Sequence, residues 1–422
     1  MRKGILILSC LLLALSTSVK AQKRAKKTPV KQLSGVNVDE AIRQYRFEDA
    51  IEALNHDIEI LEEQSQSTEA LEAQLEQAEK AQNRLNATEQ IVFIDSVVVS
   101  RDEIYQHIYL SDEVGSVTSY YGFFGGEQNN ESSVFLSQMK DKIIFSSTDG
   151  NGHSRLYSRD FVGNEWSEPS ILKGLDDLDD TQQNYPYLLP DGFTLYFAAK
   201  GSESIGGYDI FQTRYDADEG CFLAPENIGM PFNSPANDYL YIVDDFSKLG
   251  YFVTDRNQAE GKVCIYTFVP NEVRKVHNSN VISASKLRSF AMLNSLRDTW
   301  KNNQNVVDEA LTRLSQLKQE SSSKTTSTFS KPFVLNDHII ILKATDLKQP
   351  EAQKVYGYWQ EGQKQLEEIQ HNLDQLRLQY SKANDDQKKT LSPTILNQEK
   401  AMRQLMESLS QQEKDIRRLE NK

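Results

Sequence analysis

The chain of 422 residues has few of the residues, and none of the short motifs, that mark common catalytic sites. It contains three cysteines and six histidines, and it lacks the G-x-S-x-G, HExxH, CxxC and P-loop patterns. The histidines are scattered, without a short metal-ligand pair: His56, His107, His153, His277, His338 and His371. We therefore predict a protein that is not an enzyme and has no catalytic, cofactor-binding or metal-binding residues.

Positive charge and long apolar runs are also scarce. Lys and Arg number 47 against 61 Asp and Glu, which gives a formal net charge of −14. This acidic balance argues against nucleic acid as a partner. The longest apolar run, Ile5 to Leu15, is too short to span a bilayer comfortably, so we predict no transmembrane span in the mature chain.

The first residues have the order of a secretory signal peptide. Arg2 and Lys3 precede the apolar run, and small side chains lead up to Ala21. This pattern predicts a signal peptide over 1–21, followed by a basic flexible segment over 22–35. Cleavage changes the formal charge from −14 to −17, because three basic residues and no acidic ones are removed. The predicted location is the periplasm, with association with the outer membrane left open.

Two cysteines, Cys221 and Cys264, remain after this cleavage. An oxidising compartment would allow them to form a disulfide. Their spacing does not require one, and two buried free thiols are equally consistent with it. The sequence therefore leaves their pairing open.

The N-terminal part of the predicted mature chain is helical. Apolar residues recur near a 3.6-residue period over 36–64 and again over 68–85. The run Tyr45 to Ala50 is similar to part of a tetratricopeptide hairpin. One such hairpin cannot form a peptide groove alone, because these repeats bury their faces against neighbours. We predict a tetratricopeptide-like hairpin over 36–88 that caps another domain.

The middle of the chain contains a repeated unit. Residues 184–211 combine a strand, a Pro190-Asp191-Gly192 turn, a second strand, a glycine-rich loop and a third strand. The same order recurs upstream and downstream, and it places aromatic residues at equivalent positions: Phe145, Phe197 and Phe252 on the second strand, and Tyr157, Phe211 and Tyr266 on the third. A fourth strand follows two of the units, in the runs that begin at Trp166 and at Phe222. Four strands per repeat predict the blades of a β-propeller over 89–345.

The same stretch carries a resemblance to a known family. The run from Tyr187 to Phe197, followed by the G-G-Y-D-I-F strand that ends at Phe211, resembles the TolB-type, WD-like propeller repeat. Residues 91–345 are similar to an exported propeller family of the Bacteroidetes, in which the A-P-E-N-I-G-x-P-F-N-S loop, here 224–234, also recurs. The resemblance implies a cell-envelope propeller. No OmpA-like module follows, so peptidoglycan binding is not implied.

Only three repeats are clear, whereas a closed propeller usually has at least four blades. Two regions are candidates for the missing strands. One is the pair Ile91 to Val99 and Val117 to Phe124, and the other is the late strand over 333–342. We predict a degenerate propeller that closes by mixing these N- and C-terminal strands, with a helical insertion near 285–320 and a polar linker over 321–330.

Residues 351–422 read as two helical arms. Apolar residues follow alternating three- and four-residue spacing in both arms, which predicts an antiparallel coiled-coil hairpin. Ser392 suits the N-cap of the second arm, and Pro393 suits its first turn. The predicted fold is therefore mainly a β-propeller, with an N-terminal helical hairpin and a C-terminal coiled-coil hairpin.

Several features of the propeller region are candidates for contact with a ligand. The acidic run 176–180 and the loop 149–152 could offer oxygen ligands to calcium, but their spacing fails the EF-hand pattern and favours solvated loops. Five aromatic residues could form a binding face or pack between blades: Trp166, Tyr185, Tyr187, Tyr208 and Tyr239. The less regular loops 174–183 and 224–238 are the predicted contact surfaces.

These patterns together predict a non-enzymatic cell-envelope scaffold or protein-interaction module. Its partner would be an envelope protein or a glycan, and self-association through 351–422 is a further prediction. The alternatives are an accessory component of an envelope secretion assembly, a glycan-binding propeller, and a hydrolase with an unrecognised site.

Overall fold

The structure is a computed structural model that describes residues 35–124, 132–148, 152–162, 165–175, 182–324, 333–335, 339–341, 344–383 and 385–420. The predicted signal peptide lies outside these residues, as do nearly all of the basic segment 22–35 and the whole acidic run 176–180. Those predictions stay predictions.

Three helices form the N-terminal region: α1 (Val38–Arg43), α2 (Phe47–Glu63) and α3 (Glu69–Asn86). The sequence predicted one helix over 36–64, but the chain turns at Tyr45, whose φ of 55° is left-handed. Small side chains let the helices approach closely, since Ala41, Ala50 and Ala78 are at most 1% exposed within one apolar cluster. The helical prediction is confirmed here, with the break at Tyr45 as its correction.

Three antiparallel sheets occupy the middle of the chain. Their strands are β1 (Val92–Ser100), β2 (Ser116–Ser119), β3 (Ser133–Leu136), β4 (Lys142–Thr148), β5 (Ser154–Val162), β6 (Glu165–Trp166), β7 (Ser170–Ile171), β8 (Gln182–Leu188), β9 (Thr194–Lys200), β10 (Asp209–Asp216), β11 (Cys221–Phe222), β12 (Glu226–Asn227), β13 (Asp238–Asp244), β14 (Leu249–Thr254) and β15 (Lys262–Val269). Sheet 1 has the order β2-β3-β4-β5-β6, with β7 also on β5. Sheet 2 has the order β8-β9-β10-β11, with β12 also on β10, and sheet 3 has the order β13-β14-β15-β1. A short helix, α4 (Tyr120–Phe124), follows β2.

The repeated aromatic residues meet in pairs across neighbouring strands. The pairs are Phe145–Tyr157 in sheet 1, Phe197–Phe211 in sheet 2 and Phe252–Tyr266 in sheet 3. Their ring centroids are 6.1, 6.1 and 6.0 Å apart, with interplanar angles of 26°, 28° and 18°. Cross-strand aromatic pairs of this kind stabilise a sheet and fix its register. The repeat read from the sequence is therefore a repeat of side-chain geometry as well.

Each sheet has two different ends. The first and second strands of the repeat are joined by a short turn, at 137–141, 189–193 or 245–248, and we call this the turn end. The second and third strands are joined at the opposite end by a longer loop, at 201–208 in sheet 2 and 255–261 in sheet 3, and we call this the loop end.

The late strand over 333–342 does not join these sheets in the part of the chain that the structure describes. Its two pieces, β16 (Phe333–Val334) and β17 (Ile340–Ile341), pair with each other in a separate sheet. Phe333 packs against Tyr356 and Trp359 of the C-terminal helices, which gives its apolar side chain a different core. The prediction that this strand helps to close a propeller is therefore wrong for these residues. The N-terminal strands do join, because β1 completes sheet 3 and β2 extends sheet 1.

The helical insertion begins with α5 (Ala284–Met292), continues through a 3₁₀ helix (Leu296–Trp300) and ends with α6 (Gln304–Lys324). Trp300 Nε1 donates to the Phe93 carbonyl at 2.6 Å, and the Phe93 N–H donates to Thr299 Oγ1 at 3.2 Å. These bonds satisfy part of the outer edge of β1, which would otherwise stay unpaired.

Two long helices end the chain: α7 (Pro350–Lys382) and α8 (Asp385–Glu420). They are antiparallel, since Trp359 Nε1 donates to Glu413 Oε1 at 3.2 Å, while Arg377 near the other end of α7 binds Glu399 at 2.9 Å. The sequence placed the start of the second arm at Ser392. The structure starts it earlier and leaves Pro393 inside the helix, because the residues before it include good helix formers.

Candidate functional site

A cleft of about 410 Å³ opens at the loop end of sheet 3. Its lining combines two cationic side chains, two amides, two carboxylates and a tyrosine: Arg101, Lys262, Asn237, Gln258, Asp255, Glu260 and Tyr239. Arg101 begins a 3₁₀ helix directly after β1, Tyr239 lies in β13 and Lys262 begins β15. Asn237 precedes β13, and the other side chains lie in the loop 255–261. The cleft therefore depends on β1 being in sheet 3, although β1 and β15 are distant in sequence.

Arg101 links sheet 3 to sheet 2. Its backbone N–H donates to the Gly261 carbonyl at 3.1 Å, which fixes the start of the 3₁₀ helix beside the loop 255–261. Its guanidinium carbon lies 4.4 Å from the centre of the Tyr239 ring, in a cation–π contact. Its Nη2 donates to Tyr185 Oη at 3.4 Å. The cation is thus held in place over a tyrosine ring.

Asp255 is held by three donors. It accepts from the Asn237 backbone N–H, from Asn237 Nδ2 and from Tyr239 Oη, each at 2.8 Å. Burial raises the pKa of Tyr239 well above its usual value, and the hydrogen bond to Asp255 adds to the rise. The phenol therefore stays neutral and donates, while the carboxylate accepts. This arrangement fixes the cleft wall and commits the carboxylate to structural hydrogen bonds.

Three of the five aromatic residues singled out in the sequence form one cluster beside the cleft. The Tyr185 and Tyr239 rings are 5.4 Å apart, and the Tyr208 ring lies 6.2 Å from the first and 6.0 Å from the second. Tyr208 is partly exposed, whereas the other two are buried. The packing interpretation therefore applies to Tyr185 and Tyr239, and Tyr208 is the partly exposed member of the cluster.

Trp166 and Tyr187 belong to the core instead. Trp166 is 2% exposed and packs against Phe161, with the ring centroids 5.3 Å apart. Tyr187 is fully buried, packs edge-to-face on Phe135 and donates its hydroxyl to the Val243 carbonyl at 2.8 Å. Of the two interpretations, packing within and between the sheets is the correct one for these two side chains.

The predicted contact loop 224–238 is largely buried. Met230, Phe232, Asn233 and Ser234 are at most 1% exposed, so the prediction of a contact surface is wrong for this part of the loop. An irregular sequence does not by itself indicate an exposed loop. The loop instead fills the space between sheet 2, the helices and sheet 3.

Asparagine side chains of this loop add hydrogen bonds to the start of β10. Asn233 Oδ1 accepts from the Ile210 N–H at 2.7 Å, and Asn233 Nδ2 donates to the Ile210 carbonyl at 2.8 Å, so one side chain satisfies both backbone groups of that residue. Asn227 Nδ2 donates to Asp209 Oδ2 at 2.7 Å. A Cβ at Gly206 would lie 2.4 Å from the Pro235 carbonyl carbon, so the close approach of the loop backbone requires glycine there. The recurring motif residues thus have structural roles.

Arg256 is the centre of this buried network, and nothing in the sequence identified it. It donates to the carbonyls of Pro231, Phe232 and Ala291 at 2.8, 2.7 and 3.2 Å. It also forms an ion pair with Asp238 at 2.9 Å, with both side chains at most 4% exposed. Burial raises the pKa of Asp238, and the neighbouring Arg256 opposes the rise.

Asp209 is a second buried acid of the same network. Burial and the charge of Asp238 raise its pKa to about 7, against hydrogen bonds from Ile205, Asn227 and Gly206.

The N-terminal helices attach near this network. Phe47 is fully buried in a cluster with Met230 and Leu287. On α3, Lys80 and Arg84 both bind Glu203 in the loop 201–208, at 2.7 and 3.3 Å. The loop end of sheet 2 is therefore covered in part by these helices, while the cleft of sheet 3 stays open.

The structure also bears on the two cysteines and on the candidate metal ligands. Cys221 and Cys264 are both free thiols, so they do not form a disulfide. The described residues contain no group of three or more His, Cys, Asp or Glu side chains placed to hold a metal ion. The acidic run 176–180 and most of the loop 149–152 lie outside those residues. Within the same described ranges, no helix is long and apolar enough to cross a bilayer.

Comparison with protein-family models, with curated proteins and with solved structures gives no match to this chain.

Proposed function

We propose that this protein is a non-enzymatic binding scaffold of the cell envelope, and that its three sheets are the blades of a degenerate β-propeller. Export to the periplasm is proposed from the sequence over 1–21. The loop-end cleft beside Arg101 is the proposed contact with an envelope protein, and the helices α7 and α8 provide a second point of attachment.

The repeated geometry of the sheets supports a propeller. Each repeat places an aromatic pair at the equivalent position of its second and third strands, and the first strand of each later sheet packs on the sheet before it. The 3₁₀ helix Arg101–His107 and α6 bury Ile104 and Leu314 in the same core as the sheets. In the proposed propeller, these two segments take the place of additional blades.

The observation that carries the proposal is the fixed geometry of the cleft. Arg101 is held over Tyr239, and Asp255 is held by three hydrogen bonds. A preorganised polar surface of this kind lowers the entropy cost of binding. A carboxylate already committed to three donors is poorly placed to act as a general base, which favours binding over hydrolysis at this position.

The proposal is tested by recovery of a partner from envelope extracts. We expect the mature protein to retain a specific partner, and the double variant Arg101→Ala/Lys262→Ala to lose it. The same pull-down without residues 351–422 separates the contribution of α7 and α8 from that of the cleft. If neither the full chain nor the shortened chain retains any partner, the scaffold proposal is wrong.

Glycan binding is a second candidate function, favoured by the side chains of the cleft. Amide, carboxylate and guanidinium groups beside a partly exposed tyrosine offer both hydrogen bonds and an apolar surface to a sugar ring. This candidate predicts saturable binding on a glycan array that is lost in Gln258→Ala and Tyr208→Ala. Absence of saturable binding by the wild-type protein would exclude it.

A further inference from the structure

The turn end of the three sheets carries a large exposed apolar side chain on every short turn. Met139 is 75% exposed in sheet 1, Phe193 is 45% exposed in sheet 2 and Phe246 is 60% exposed in sheet 3. Tight turns usually carry glycine, proline and small polar residues, and a repeated exposed apolar residue is unusual there. The pattern occurs once in each of the three repeats, so it follows the architecture of the sheets.

Neighbouring strand ends extend this apolar surface. Tyr215, which is 37% exposed, lies directly beside Phe193, because its N–H donates to the Phe193 carbonyl at 2.8 Å. Val162 and Leu223 are 72% and 51% exposed near the same end of sheets 1 and 2. By contrast, the described loops 201–208 and 255–261 at the loop end carry no large apolar side chain with this exposure. Among the described connections between strands, the short turns therefore carry this exposed apolar surface and the loops 201–208 and 255–261 do not.

The apolar tips of sheets 2 and 3 are surrounded by negative charge. Five carboxylates that are not buried lie in or next to their turns: Asp191, Asp216, Asp218, Glu219 and Asp245. Only Arg214 and Lys248 offset them among the described residues of these turns. A second copy of this face or an anionic lipid surface would bring like charge against these carboxylates, which disfavours both as occupants.

The dimensions of the surface suit a helix. Packed sheets lie about 10 Å apart, so the turns of three successive sheets extend over about 20 Å. A helix of about 14 residues has this length and presents one apolar stripe. Basic residues beside that stripe would face the carboxylates.

We propose that the turn end docks a basic amphipathic helix of a partner protein. The apolar stripe of that helix contacts Met139, Phe193 and Phe246, and its Lys or Arg side chains pair with the acidic turns of sheets 2 and 3. This surface is separate from the Arg101 cleft, so the docking proposal and the proposed function succeed or fail independently.

The test uses the full mature chain and three labelled helical peptides of about 14 residues. One has a Leu stripe with Lys on the flanks, the second has the same stripe with Glu in place of Lys, and the third keeps Lys but replaces Leu by Ser. Fluorescence anisotropy should detect binding of the Leu/Lys peptide alone. The Phe193→Ser/Phe246→Ser variant should bind it about tenfold more weakly.

Charge reversal and a matched control complete the test. Asp245→Lys with Glu219→Lys should weaken binding about tenfold at low salt, and the difference should shrink as salt is added. Val98→Ser removes an exposed apolar side chain from β1, away from the turn end, and should leave the affinity unchanged. The proposal is overturned if the Leu/Glu or Ser/Lys peptide binds equally well, if the Phe193→Ser/Phe246→Ser variant binds like the wild type, or if vesicles of phosphatidylglycerol bind while the Leu/Lys peptide does not.

Discussion

The loop end and the turn end of the sheets belong to the same repeats but differ in which side chains they bury and which they expose. At the loop end, Asp209 and Asp238 are fully buried and hydrogen-bonded, and Arg256 is 4% exposed. At the turn end, Phe193 and Phe246 are 45% and 60% exposed. Polar residues are thus inside at one end, and apolar residues are outside at the other.

Connection length explains the difference. A longer loop can fold back on its sheet, and its backbone groups then need partners, which side chains such as Asp209 supply. A short turn has no room to fold back, so its side chains project into solvent. Residue polarity alone therefore does not indicate which loops of this fold make external contacts.

The largest expected difference in stability is between a change of one arginine at the loop end and a change of one arginine at the turn end. Arg256→Met removes the ion pair of Asp238 and three donors to carbonyls, and it leaves a buried carboxylate without its cation. We expect the free energy of unfolding to fall by about 3–5 kcal/mol in urea denaturation. Arg214→Met, an exposed change at the turn end, should cost no more than about 0.5 kcal/mol. Equal losses in the two variants would contradict the comparison.

The next largest expected difference in stability is between changes of a buried and of a half-exposed phenylalanine. Phe47→Ala empties a buried position where the N-terminal helices meet Met230, and it should cost about 3 kcal/mol. Phe193→Ala should cost less than about 1 kcal/mol, because the ring is already half exposed. Urea denaturation measures both, and limited proteolysis should cut between 36 and 88 sooner in the first variant only. A cost for Phe193→Ala as large as that for Phe47→Ala would show that the turn end is part of the core.

The buried acids give the loop end a pH dependence. The pKa of Asp209 rises from 3.8 to about 7 in the folded protein, so between these values the folded state binds more protons than the unfolded state. Stability should therefore fall as pH rises through this window, by about 2 kcal/mol between pH 5 and pH 7.5. The raised pKa of Asp238 acts in the same direction. Comparison with Asp209→Asn, in which most of the slope should disappear, assigns the effect; an unchanged slope would refute the assignment.

The smallest effect concerns the ion pairs between α3 and the loop 201–208. Glu203→Gln weakens the contacts with Lys80 and Arg84, whose partner is 42% exposed. We expect a loss of at most about 1 kcal/mol that decreases with added salt. These cations lower the pKa of Glu203, so the contribution is present at neutral pH and is lost as pH falls through that lowered pKa. A larger, salt-independent loss would indicate packing instead of charge.

The sequence predicted the features that depend on local patterns. The spacing of Phe197 and Phe211 predicted two neighbouring strands, and the structure pairs these residues directly. Helical periodicity likewise located α2, α3 and the two C-terminal helices. Such features depend on residues close in sequence, where periodicity carries the information.

The features that escaped prediction depend on long-range contacts. The pairing of Val98 with Cys264 places β1 in sheet 3, and no local pattern identifies that partner. Arg101 enters the cleft only as a consequence of this pairing. Arg256 was missed because an arginine in a loop is usually exposed, and only the carbonyls gathered around it explain its burial.

The most direct test of the proposed binding cleft is site-specific photo-cross-linking in the producing cells. A photoreactive amino acid replaces Glu260 in the cleft, and in a matched chain it replaces Val306, which is 37% exposed on α6. We expect a discrete cross-linked species from position 260 that is absent from position 306 and is lost when Arg101→Ala is added. No species from position 260, or the same species from both positions, would contradict it.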